Sequence, residues 1–248
     1  MLSPHLDDAA LSCGGQIYLK TSAGLSVLIV SVMAGDPPQP ALSEYAKSLH
    51  NRWQIAGHEA EQRRQEDARA ARILRADYLH LDIPDCIYRR DPRSDSPYYT
   101  SDREIFGKIA PADAVMIRKI SELLENLPQF GHIYVPLGVG NHVDHQLTRL
   151  AAEQIFGGQQ VVYYDEYPYA DQPGAVGKAF GADLPKWTSQ VIIIPEAALA
   201  AKIMAIAAYT SQLSTFFLDL EDLDRRVRQY TQTIGGERIW HKCYHEGY

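Results

Sequence analysis

Apolar positions along this chain fall into short runs that alternate with longer stretches of helical period. Residues 26–33, SVLIVSVM, form a continuous β-branched and aliphatic run, the pattern of a strand covered on both faces. The runs at 78–81 (YLHL), 132–135 (HIYV), 160–164 (QVVYY) and 190–194 (QVIII) read the same way. Between them lie segments of strong helix formers at 9–20, 59–74, 112–124, 144–155 and 195–209. Strand–helix alternation at this spacing predicts an α/β fold: a Rossmann-like, mainly parallel sheet with helices on both faces. The length of 248 residues suits a single domain over 1–248. Two loops break the pattern, one over 35–43 and a polar insertion over about 83–111 that contains RRDPRSDSPYYTSD. Insertions of this length in α/β folds shape substrate clefts at strand C-termini.

Composition narrows the function classes. A formal charge of −7 gives no support for a nucleic-acid or anionic-membrane partner. The apolar runs near 27–34 and 197–208 are too short or too interrupted to span a bilayer. No basic segment followed by an apolar one opens the sequence, so no signal peptide is expected. Cys13, Cys86 and Cys243 are odd in number and widely spread, which argues against a disulfide framework and for a reducing cytoplasm. A homo-oligomer stays open. No GxGxxG follows a strand, which disfavours a dinucleotide-dependent oxidoreductase.

Chemistry concentrates in two places. SPHLDDAALSCGG (3–15) sits where a first strand gives way to a first helix, and GVGNHVDH (138–145) stands in the same relation to the strand ending near Val135. Ligands of open parallel sheets bind beyond the strand carboxyl ends, so the two clusters can converge. A catalytic zinc site takes three protein ligands and keeps an open position. His5, Asp8 and one His of the second cluster meet that count, leaving Asp7 and the other His for proton transfer. Only Met1 to Pro4 precede His5, which predicts a very short first strand. Gly14 and Gly15 suit close packing of the first helix. His50, His58, His80, His132, His241 and His245 carry no ligand spacing.

These residues also carry a resemblance. SPHLDDAALSCGG followed by GNHVDH resembles the PHxDD and HxDH motifs of the LmbE-like/PIG-L de-N-acetylase family. Arg63, Glu66, Ala70 and Leu74 look like its second-helix pattern, and LDIPD (81–85) looks like the strand end that follows. The resemblance implies a Rossmann-like α/β fold and metal-dependent removal of an N-acyl group from a small amino sugar or its conjugate. It maps His5, Asp8 and His145 to ligands of Zn²⁺, with Fe²⁺ also suited to such a set. Asp7 becomes the general base, His142 the acid or, when protonated, the oxyanion partner, and Asp144 the residue that orients His142. Arg63 and Asp85 are candidate substrate contacts. The family often has Glu where this chain has Ala9, which bears on the sugar and leaves the metal chemistry intact.

Arg89, Arg90, Arg93, Tyr98 and Tyr99 of the insertion are expected near the cleft mouth, where they would favour an acidic or extended conjugate over free N-acetylglucosamine. The segment YYDEYPY (163–169) and the C-terminal 240–245 are candidate cleft walls or, for the latter, an added strand. The competing reading is a non-catalytic carbohydrate- or nucleotide-binding module on the same fold.

Overall fold

A computed structural model describes residues 1–37, 42–53, 59–158 and 160–243. Part of the 35–43 loop, together with His58 and His245, lies outside the described residues. Strands β1 (Leu2–Ser3), β2 (Leu28–Ser31) and β3 (Asp77–His80) form a parallel sheet in that order, with Leu2 paired to Val30 and Ser31 to His80. Strands β4 (Ile133–Pro136) and β5 (Val161–Tyr164) are parallel, and β7 (Glu237–Lys242) lies antiparallel between β5 and β6 (Trp187–Ile192). β1 runs beside β4, and the Tyr164 hydroxyl donates to the Leu2 carbonyl at 2.8 Å, tying the two sheets together.

The fold is therefore α/β with one parallel and one mixed sheet, where the alternation predicts a mainly parallel one. The difference arises at the C-terminal end. The start of the run 190–194 belongs to an edge strand, and the chain returns through the helices Glu196–Ala207, Leu213–Phe216 and Leu220–Ile234 to insert β7 in the opposite sense. Apolar runs report burial and carry no information on strand direction.

Helices Asp8–Ser22, Glu59–Ile73, Val115–Leu124, Val143–Ile155 and Glu196–Ala207 lie where the periodicity puts them. Two further long helices, Glu44–Trp53 and Leu220–Ile234, escape that reading, as do the short ones at Asp102–Ile105, Ala175–Phe180 and Leu213–Phe216. The second of the long pair has the marks of a helix in its sequence. Asp219 caps it by accepting the Asp222 N–H at 2.8 Å, Leu223, Val227 and Tyr230 form its buried stripe, and Gly235 ends it at φ +83°.

The first helix is held by its glycines. A Cβ at Gly15 would stand 2.7 Å from Ile194 Cγ2, and one at Gly14 would stand 3.0 Å from Lys202 Cγ. The Glu196–Ala207 helix packs into the space those missing side chains leave. Glu237 of β7 reaches the same place, accepting the Gly15 and Gln16 N–H groups and the Lys202 ammonium, all at 2.8–2.9 Å. No helix of the described residues is long and apolar enough to cross a membrane.

Candidate active site

Four chain segments that follow strands meet in one cleft of about 200 Å³: 4–8 after β1, 81–88 after β3, 137–145 after β4 and 165–169 after β5. The first turn is pinned by Ser3, whose hydroxyl donates to the His5 carbonyl at 2.6 Å and accepts the Ala9 N–H at 2.9 Å. Ala9 itself is buried in the core, so the position where the family often has Glu faces inward here. Asp8 Oδ2 accepts the His5 N–H at 2.8 Å and stands 3.2 Å from His5 Nδ1.

The second motif opens the helix Val143–Ile155. His142 is its N-cap, with Nδ1 accepting the Asp144 N–H at 3.3 Å, while His145 is one turn inside and fully buried. Gly140 is at φ +86°, and a Cβ there would meet the Tyr169 ring at 2.7 Å, so glycine lets Tyr169 pack over the turn.

His145 Nε2 stands 3.3 Å from Asp8 Oδ2, and the rings of His5, His142 and His145 lie within 4.8–5.4 Å of one another. Asp8 Oδ2 thus lies beside both His5 Nδ1 and His145 Nε2, and ligand atoms of His5, His142 and His145 lie within 4.8 Å of one another. Asp7, 6% exposed, lines the same cleft with Arg63 and Asp85. Asp85 lies 3.7 Å from His5 Nε2 and caps a short turn by accepting the Ile87 N–H at 3.2 Å.

The electrostatics separate the acids. Burial and the neighbouring Asp8 push the Asp7 carboxyl up to about 6, against the opposing pull of Arg63 and His5. Burial opposes ionisation of Asp8 as well, but His145 and His5 hold it well below the ordinary carboxylate range. Burial also disfavours charge on His5 and His145. Asp144 and Asp8 nonetheless raise His5 well above its usual value, and Asp8 with Glu166 raises His145 to about 9. His142 goes the other way: burial and the charge of His5 drive it well below the usual histidine range, so it is neutral.

A divalent cation fits this cluster. Its carboxylates draw positive charge onto the imidazoles, and His145 Nε2 is buried without a hydrogen-bond partner. Imidazole and carboxylate together form a borderline-hard ligand set.

Three findings depart from the sequence reading. First, the Asp144 carboxylate faces His5 Nε2 at 3.1 Å and Arg89 at 2.6 Å; it meets His142 through its backbone N–H. Second, Arg89 and Tyr99 are buried on Asp113, away from the cleft mouth. Arg90, Arg93 and Tyr98 line a separate hollow of about 700 Å³. The insertion instead sends Ile87, Ile105 and Phe106 to the cleft, the last edge-on to the His142 ring at 5.2 Å. Third, Glu166 holds the second motif. It is fully buried, accepts the Gly138 and Val139 N–H groups and lies 3.2 Å from His145 Nδ1. An acid two residues past β5 was the available signal for it, overshadowed by the tyrosines around it.

Known proteins bear on these features. The family model described as PIG-L, GlcNAc-PI de-N-acetylase, matches residues 1–156. A 2′-N-acetylparomamine deacetylase of Niallia circulans is 28% identical over 186 residues, covering 69% of this chain and 67% of that protein. A protein of the same description from Streptomyces fradiae is 29% identical over 185 residues, 71% of this chain and 59% of that protein. The crystal structure of a deacetylase from the teicoplanin biosynthesis pathway superposes with a TM-score of 0.80 over 96% of this chain and 95% of that one, at 26% identity.

Proposed function

The chain belongs to the PIG-L de-N-acetylase family, and from that premise we propose a zinc-dependent hydrolase that removes the N-acetyl group of a small amino sugar or its conjugate. The supporting observation is Asp8 Oδ2 standing beside both His5 Nδ1 and His145 Nε2, next to a cleft that Asp7 and His142 also line. The relatives from Niallia circulans and Streptomyces fradiae are described as 2′-N-acetylparomamine deacetylases, which supports an N-acetylated amino sugar as the substrate class. We read residues 1–248 as one Rossmann-like domain built around this site, and the free thiols of Cys13, Cys86 and Cys243 as suited to the cytoplasm.

His5, Asp8 and His145 would hold the ion, and Fe²⁺ suits the same ligands. When bound, the metal supplies Lewis acidity, polarising the amide carbonyl and acidifying a water. Asp7 accepts the proton of the attacking water as its oxygen bonds to the carbonyl carbon. The C–N bond then breaks, Asp7 returns that proton to the departing nitrogen, and the acid product passes its own proton to the amine, so that acetate and the ammonium form of the sugar result. Burial and the neighbouring Asp8 raise the proton affinity of the Asp7 carboxyl, which suits it to take up and return a proton.

His142 stabilises the developing oxyanion as a hydrogen-bond donor. With Nδ1 accepting the Asp144 N–H the ring would carry its donor proton on Nε2, and burial favours its neutral form. A single such donor is worth about 2.7–4 kcal/mol. Arg63 and Asp85 line the cleft as the candidate contacts to sugar hydroxyls.

The test is direct. Protein loaded with zinc is incubated with N-acetylated amino sugars and their glycosides, and released primary amine is measured. Binding without amine release from any of them would establish the non-catalytic module instead.

A further inference from the structure

Asp144 has two imidazoles within reach. One of its oxygens lies within 4.8 Å of a His142 nitrogen, and one lies within the same distance of His5. The carboxylate is committed to His5, with Oδ2 at 3.1 Å from Nε2, and the same oxygen accepts the Cys86 N–H at 3.0 Å. Some feature of the fold must select between the two rings.

We propose that Arg89 is a positioning residue that makes this selection: by holding Asp144 Oδ1 it turns Oδ2 onto His5, which leaves His5 Nδ1 beside Asp8 and leaves His142 without a carboxylate. The proposal rests on the reading of His5 as a metal ligand.

The guanidinium is 5% exposed and nearly saturated. Its Nη2 stands 2.6 Å from Asp144 Oδ1 and 2.8 Å from Asp113 Oδ2, its Nε donates to both Asp113 oxygens at 2.9 and 3.1 Å, and its Nη1 donates to the Pro84 carbonyl at 3.1 Å. Asp113 is fixed in turn by the Tyr99 hydroxyl at 2.9 Å, and that hydroxyl accepts the Ala110 N–H at 3.0 Å. A buried chain therefore runs Tyr99–Asp113–Arg89–Asp144–His5.

A planar fork is required at its centre. One guanidinium forks onto Asp113 with fixed directions and so sets its charge 2.6 Å from Asp144 Oδ1, an ion pair without an aligned hydrogen bond, whereas an ammonium is a point charge that leaves both carboxylates free to rotate. A carboxylate on the outer nitrogen of a metal-binding histidine fixes ring orientation and tautomer, and loss of such partners costs about 10–100-fold in metal affinity or activity. The insertion over 83–111 thus reaches the chemistry from behind, through one arginine.

Two variants test this in the metal-free protein. Arg89→Lys keeps the charge and loses the fork; Asp113→Asn keeps Arg89 and loosens its anchor. Imidazole ¹H–¹⁵N correlation spectra report which ring nitrogen carries the proton hydrogen-bonded to Asp144. In the wild type that proton is expected on His5 Nε2. In both variants it is expected to weaken there, or to give way to a hydrogen-bonded signal from His142.

After zinc loading, kcat should fall about 10–100-fold with KM little changed. Unchanged His5 signals in folded variants would overturn the proposal, and Asp113→Asn alone decides if Arg89→Lys does not fold. Absence of amine release by the wild type would refute the functional reading separately, since the spectra need neither metal nor turnover.

Discussion

Asp7 and Asp8 are chemically identical neighbours given opposite tasks by their surroundings. Asp8 is held ionised by two histidines, while burial and Asp8 itself leave Asp7 near 6. Acid–base assignments follow from such divergence between paired groups. Asp7→Asn should therefore retain metal while kcat falls about 10²–10⁴-fold, since an amide accepts no proton. His145→Ala should lose the ion with the fold intact, which elemental analysis and circular dichroism read together. Glu166→Gln weakens the acceptor behind His145 Nδ1 and should lower metal affinity about 10–100-fold, measured by competition with a chelating dye. The ligand-type residues were legible because His and Asp at two strand-to-helix junctions have few structural uses. Glu166 and Arg89 were not, because an acid in a tyrosine-rich loop and an arginine in a polar insertion look like solvated surface until burial is known.

Among the elements, the first helix shows two principles in conflict. Alanine is favoured over glycine in a helix interior by about 0.8–1.0 kcal/mol. At Gly15, however, a Cβ would meet Ile194 Cγ2 at 2.7 Å and Glu237 Oε1 at 3.0 Å, and overpacking costs about 1–3 kcal/mol. Gly15→Ala should therefore lower thermal stability, by about 2–4 °C per kcal/mol of net loss in a chain of this size. Lys202→Met is expected to be more severe. It would leave Glu237, 3% exposed, without its cation, and breaking a buried pair costs about 3–5 kcal/mol. Denaturant titration of both variants checks the order. The helix Leu220–Ile234 and β7 bring Glu237 to this place, and although cap, stripe and terminal glycine mark that helix, its heavy charge obscures them beside more apolar neighbours.

At the scale of the whole molecule, the cleft is walled by parts distant in sequence. Leu49 comes from the helix Glu44–Trp53, Ile87 and Phe106 from the insertion, and Phe216 from the segment before Leu220–Ile234. An amino sugar bearing an apolar aglycone should therefore bind better than free N-acetylglucosamine, and Phe216→Ala should raise KM for the conjugate more than for the free sugar. Steady-state kinetics on the two substrates decides it, and equal KM changes would remove Phe216 from the recognition surface. Of the insertion's arginines, Arg89 is paired with Asp113 and Asp144 and Arg90 with Asp95, so the arginines that line the cleft among the described residues are Arg52 and Arg63. From sequence alone, the α/β class, most strand positions, five of the longer helices and the grouping of His5, Asp7, Asp8, His142 and His145 could be determined, since periodicity and short motifs are local properties of the chain. Tertiary structure decided the antiparallel entry of β7, the partner of Asp144 and the makeup of the cleft walls. Each of those depends on which surfaces remain to be buried once the local elements exist, and that is set by contacts between residues scores of positions apart.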